Sequence, residues 1–269
     1  MKHLEYIKNS LKELEIEISN YPFKSEDWRT SYLELTYSSL EIYYRHWCSI
    51  YSSQIVSEQN LSKEQEKIVE DFKSTTKNMT LFYSTRNSFN RSLLTEAWST
   101  FEFSLTYICE QLFDENIKNE LLEEDFNDLM KLLSTYSISE QHLTKIKKNF
   151  SKKHLTHVPV TRKYNKIYSI FKHNHSGDIE SDRRYLEFIG TYRNCIHTNY
   201  IYHGNNKEYS FHGTTYYFVN GEAVSHSKEP DITSMFDMAI ELKNVCRRLF
   251  DSIDYPGLLE FPADKVIQP

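Results

Sequence analysis

The sequence predicts a mainly α-helical protein with a small β-hairpin inserted near its C-terminal end, and three observations carry that expectation. Only six glycines and six prolines occur in 269 residues, too few for a turn-dense sandwich or barrel. Apolar residues recur at three-to-four spacing along most of the chain, the mark of amphipathic helices. Between 215 and 225 this period gives way to alternation around Asn220-Gly221, a pair that supplies the positive φ of a two-residue type I′ turn.

The first helix is expected over 2–19, where Leu4, Ile7, Leu11, Leu14 and Ile18 share a face, and it stops before Pro22, which cannot continue it. A longer aromatic-rich helix follows over 25–57. Its Trp28, Tyr32, Tyr43 and Trp47 read as core rather than ligand platform. Ser62 with Gln65 forms a capping-box pattern that opens a helix to about 77. Leu93, Leu94, Ala97, Phe101, Leu105, Ile108 and Leu112 give the next helix, 90–113, a strong inward face. Helices over 117–134 and 139–150 come next, the second capped by Ser139. Val158-Pro159-Val160 breaks the pattern before a helix over 162–172. After a polar link at 173–178, a helix begins near 181 and runs toward Asn199-Tyr200. Strands at 215–219 and 222–225 form the hairpin, with 208–212 as a third short strand, and the last helix spans 232–252. The implied organisation is an N-terminal helical region over 1–80, a helical domain over 81–255 with the hairpin near 208–226, and an irregular tail over 256–269.

Composition narrows the chemistry. No glycine-rich phosphate loop is present, no apolar run approaches a membrane span, and the N-terminus has no signal-peptide core, so a cytoplasmic protein without a membrane partner is expected. Cys48, Cys109, Cys195 and Cys246 are widely spaced and lack a Cys-x-x-Cys pair, so neither zinc nor disulfides are indicated. His154 with His157, and His173 with His175, lie beside lysines that repel a cation, and no metal or other cofactor is expected. The net charge is −6, yet 141–177 contains nine Lys and Arg and no acidic residue. A basic stripe on an acidic body can hold a polyanion locally. Lys152, Lys153, Arg162 and Lys163 are its candidate RNA contacts, with a solvated surface face as the competing reading.

Arg193-Asn194-Cys195-Ile196-His197 is the segment with reaction-centre character. On a helix, Arg193 and His197 are one turn apart and share a face, while Cys195 points away from His197. Such a pair suits RNA cleavage without metal, because the ribose 2′-hydroxyl is the nucleophile. The protein then supplies only proton transfer and positive charge. Asn194 could orient the imidazole or a phosphate oxygen. Alternatively, Arg193 pairs with Glu187 or Glu102 and His197 merely ends a helix, where a cation suits the dipole.

This arrangement, an Arg-Asn-x-x-His motif late in a helix, after a long apolar helix and before a closing one, resembles the HEPN superfamily over about 90–252. The resemblance implies a helical bundle of HEPN type, with the N-terminal helices as an extension and the hairpin as an insertion. It further implies a metal-independent endoribonuclease of bacterial defence or toxin-antitoxin systems, a homodimer whose two motifs face each other, and an antitoxin or defence partner. Arg193 and His197 would be the catalytic pair and Asn194 the polar companion. The family places four to six residues between Arg and His, whereas three stand here. A non-catalytic HEPN-like binding or regulatory module, or a dimerising helical scaffold, is the alternative.

Overall fold

The computed structural model describes residues 2–55, 62–67, 70, 79–122, 133, 138–144, 158–231 and 233–259. Six long helices dominate: α1 (Lys2–Ser19), α2 (Trp28–Ile55), α3 (Met79–Leu112), α4 (Val160–Phe171), α5 (Ile179–His197) and α6 (Ser234–Asp251). Shorter helical stretches occupy 115–122 and 140–144. A three-stranded antiparallel sheet, β1 (Lys207–Phe211), β2 (Thr214–Phe218) and β3 (Ser225–His226) in that spatial order, lies between α5 and α6 in the chain. The protein is therefore mainly α with a small β insertion.

Helices α3 and α6 form the centre. α3 packs against α2, α4, α5 and α6, and α2 also touches α1 and α6. Their facing residues, including Tyr32, Leu33, Leu94, Phe101, Leu105, Phe236, Leu242 and Phe250, are essentially inaccessible and belong to one continuous core that also takes in α1 through Ile7, Leu11 and Leu14. Polar clamps hold the N-terminal helices to α6. Glu17 receives Lys243 and Arg247 at 2.7 Å each, and the Tyr21 hydroxyl donates to Asp251. Asp27 starts α2 by accepting the Arg29 amide at 2.9 Å, pairs with the buried Arg29 guanidinium, and also accepts the Leu259 amide at 3.2 Å. The beginning of the expected tail is thereby pinned against the start of α2.

Two local expectations meet instructive outcomes. The capping box is present: Ser62 N–H donates to Gln65 Oε1 at 2.9 Å, and Gln65 N–H to Ser62 Oγ at 3.3 Å. The tight two-residue turn, however, is His212-Gly213, with φ of +46° and +71°, joining β1 to β2 between the paired residues Phe211 and Thr214. At Asn220-Gly221 only the glycine has positive φ. That loop is drawn sideways onto Tyr202, whose carbonyl accepts Gly221 N–H at 2.8 Å and whose N–H donates to Glu222 O at 2.9 Å. β2 consequently pairs β3 only at Tyr216 with His226 and Tyr217 with Ser225. Histidine tolerates the left-handed region better than most residues, which is how His-Gly takes the role expected of Asn-Gly.

Helix α3 also begins eleven residues before the expected start at 90. Phe89 explains part of the extension, since its ring stacks on His46 of α2 at 4.5 Å. Tertiary packing here outweighs a stretch with weak apolar periodicity.

Candidate functional site at the end of helix α5

The helix carrying Arg193 starts at Asp178, whose side chain accepts the Glu180 amide at 3.1 Å. Its apolar face, Tyr185, Phe188, Ile189, Tyr192 and Cys195, is buried. The sheet covers part of that face: Phe188 stacks on Tyr209 at 4.3 Å and meets Tyr216 at 5.3 Å. On another side α5 lies so close to α3 that a β-carbon at Gly190 would come within 2.9 Å of the Trp98 ring. With these faces spent, the end of the helix has Arg193 half-buried and Asn194 and His197 exposed.

Arg193 Nη1 donates to Asn194 Oδ1 at 3.2 Å, and its Nε is buried with no hydrogen-bond partner among the described residues. Neither carboxylate considered as its partner is used that way. Glu187 holds Lys207 at 2.7 Å, and Glu102 makes no ion pair with Arg193. Cys195 is buried, and burial raises its thiol pKa against the opposing pull of Lys207. It is therefore held as a thiol rather than the reactive thiolate.

Beyond His197 the chain reverses through two consecutive left-handed residues, Asn199 at φ +53° and Tyr200 at φ +65°. Tyr200 N–H donates to Cys195 O at 2.6 Å, and its carbonyl accepts Val224 N–H at 2.9 Å. From α3, Arg91 Nε donates to the Tyr200 hydroxyl at 3.0 Å, with the guanidinium carbon 4.7 Å from the ring centre. This reversal also returns His203 to the flank of α5. A cavity of about 310 Å³ is lined by Asn194, Thr198, His203 and Lys207. Arg91, Tyr200 and His203 are thus neighbours that the linear motif does not contain. The only sequence signal for the reversal was the Asn199-Tyr200 end of the helix.

The basic stripe fares differently. Lys152 and Lys153 lie outside the described residues. Arg162 is half-buried and donates to Leu121 O at 2.8 Å. Lys163 is only 6% exposed and donates to Thr106 Oγ1 at 2.8 Å. Burial lowers its pKa, opposed by Cys109, Glu102 and Glu110. The Lys163 ammonium thus points inward to α3, while Arg162 is held at the surface of the helical body by its bond to Leu121. Lys166 is likewise paired, with Glu120 at 2.8 Å.

Among the described residues no three His, Cys, Asp or Glu side chains converge, and no helix is long and apolar enough to cross a membrane. His175 is buried against Asp182. No protein-family model, curated protein or solved structure matches this chain.

Proposed function

We propose that this protein is a HEPN-like, metal-independent endoribonuclease that cleaves RNA through attack of the 2′-hydroxyl on the adjacent phosphorus. The observation that carries the reading is the end of α5, where Arg193 and His197 sit one turn apart outside the core and Arg193 makes no ion pair among the described residues. An arginine without a carboxylate partner keeps charge for a phosphate. An exposed imidazole is open to a substrate hydroxyl and can accept or donate a proton there.

In this reading His197 removes the 2′-hydroxyl proton, or delivers one to the departing 5′-oxygen. Each imidazole does one of these tasks at a time, so two copies facing each other as a homodimer complete the acid-base pair. Arg193 steadies the crowded phosphate, and Asn194 orients Arg193 through the bond they share. Arg91 adds a cation beside Tyr200 as a further candidate positive charge near the strand. The setting that fits is cytoplasmic bacterial defence or a toxin-antitoxin pair, with an antitoxin or defence protein as partner.

The test is cleavage of single-stranded RNA in EDTA. His197→Ala should lower the rate by about 100-fold or more, the usual contribution of acid-base catalysis, while the circular-dichroism spectrum and oligomeric state stay unchanged. Undiminished cleavage by that variant overturns the assignment. One observation favours a second reading, a non-catalytic RNA-binding module: the three-residue gap between Arg193 and His197. It predicts that the wild-type protein binds RNA and leaves it intact.

A further inference from the structure

Next to the motif, the turn after α5, the beginning of α3 and the start of α6 enclose a cavity of about 360 Å³, within the range of small-ligand sites. Its lining joins the Tyr200 ring to polar side chains that include Asn90, Ser234, Asp231, Glu229 and His226. Tyr200 offers a half-exposed ring. That ring is fixed from several directions, by the backbone bonds to Cys195 and Val224, by Arg91, and by an edge contact to Tyr192 at 6.2 Å. A left-handed turn is made without strain by glycine and readily by asparagine, so the reversal itself does not call for a tyrosine. Strain of this kind persists where the surroundings hold it, and it collects at ligand sites.

The polar lining is mixed. Asn90, which lines the cavity, accepts the Tyr43 hydroxyl on its Oδ1 at 2.9 Å, so the NH₂ group is the donor that side chain has left to offer. Ser234 adds a hydroxyl, and the exposed Asp231 carboxylate supplies two acceptor oxygens. No Lys or Arg lines the cavity. A phosphate is therefore disfavoured by the carboxylate, and a purely donating cation by the Asn90 amide. A flat heterocycle with donors beside an acceptor satisfies both.

We propose that this cavity is a base-recognition pocket for guanine, which stacks on Tyr200 with its N1–H and N2–H donating to Asp231 and its O6 accepting from Asn90. Guanine is the common base with two adjacent donors on one edge, the match for a bidentate carboxylate. Aromatic rings beside amide and carboxylate side chains are the usual means of holding an unstacked RNA base. Tyr200 is three residues beyond His197, so at full extension their α-carbons are within roughly 11 Å. As a site on RNA, the pocket rests on the proposed nuclease reading and sets which nucleotide lies beside the cleaved bond. As a nucleotide site, it stands alone.

The experiment uses the full chain with His197→Ala, so that RNA survives. Fluorescence anisotropy compares oligouridine strands carrying one central guanine, adenine or abasic position, and 5′-GMP is titrated separately. The guanine strand should bind about tenfold more tightly than the others, the usual scale of a bidentate base contact. Asp231→Asn should abolish that preference. Tyr200→Leu should bring guanine down to the abasic level, while Tyr200→Phe keeps the preference. Asp231 is exposed and its variant tests the pocket even where a Tyr200 variant misfolds. Equal binding of all strands overturns the pocket and leaves the nuclease reading standing. Binding of 5′-GMP that depends on Asp231, without RNA binding, supports the pocket and overturns the RNA reading. Binding of neither overturns the pocket outright.

Discussion

The two ends of α5 set the same residue types in opposite surroundings. At its beginning, Asp182 accepts from Arg248 at 2.6 and 3.0 Å and lies 2.9 Å from His175 Nε2, with both the histidine and the aspartate side chains at most 5% exposed. Glu241 adds a second carboxylate to Arg248 at 3.3 Å, and Tyr168 packs edge-on against His175 at 5.2 Å. At the other end Arg193 is half-buried and His197 exposed, and neither pairs with a carboxylate among the described residues. A buried carboxylate that joins an arginine and a histidine commits both to the fold, and without one the two side chains are not so committed.

The largest effect expected of this contrast is at the buried end. Asp182→Ala strips Arg248 and His175 of their shared acceptor, and should cost about 3–5 kcal/mol, the scale for breaking a buried charge pair from one side. Urea denaturation reads it directly. A loss below about 1 kcal/mol, the scale of a surface pair, would mean that the two ends do not differ in kind.

A smaller effect belongs to the waist between the ends. Gly190→Ala places a methyl 2.9 Å from Trp98 Cη2 and 3.1 Å from Cζ2, and Trp98 is buried with little room to retreat. Overpacking costs about 1–3 kcal/mol, while alanine returns about 1 kcal/mol of helix propensity. The net expectation is a loss of about 1 kcal/mol. Because the clash pushes α5 away from α3, the proposed RNA cleavage, if present, should fall as well. A stabilised variant would show that the helices are not in contact there.

The contrast also explains what could be read from the chain in advance. Helices α1, α2, α4, α5 and α6 follow from periodicity, because their apolar residues face a core that the period itself implies. The first eleven residues of α3 do not, since their support comes from α2 through contacts such as Phe89 on His46. Proximity of Arg193 and His197 was legible because helix geometry alone sets it. Arg91 and His203 were not, being separated from the motif by many residues or by a reversal that depends on two left-handed positions. The direction of the Lys163 side chain was not legible either. Charge density in a sequence says nothing about which way a lysine stem lies, and here the stem runs inward to Thr106.

The smallest effect is predicted at the exposed end, and it is the most discriminating. Arg193→Ala removes a side chain whose polar contact among the described residues is the 3.2 Å bond to its neighbour Asn194. Its buried Nε has no acceptor among the described residues, so deletion relieves an unsatisfied donor as well as removing packing by the aliphatic stem. These terms oppose each other, and the change in unfolding free energy should stay within about 0.5 kcal/mol, as for surface positions free of special interactions. If the proposed nuclease reading holds, cleavage by contrast should fall strongly, because Arg193 is then the group that steadies the phosphate. A stability loss near that of Asp182→Ala would make Arg193 a structural residue and bring the two ends of α5 into one class. Unchanged stability with lost cleavage keeps them apart, since a helix held by its buried beginning can present its far end to a substrate without depending on it.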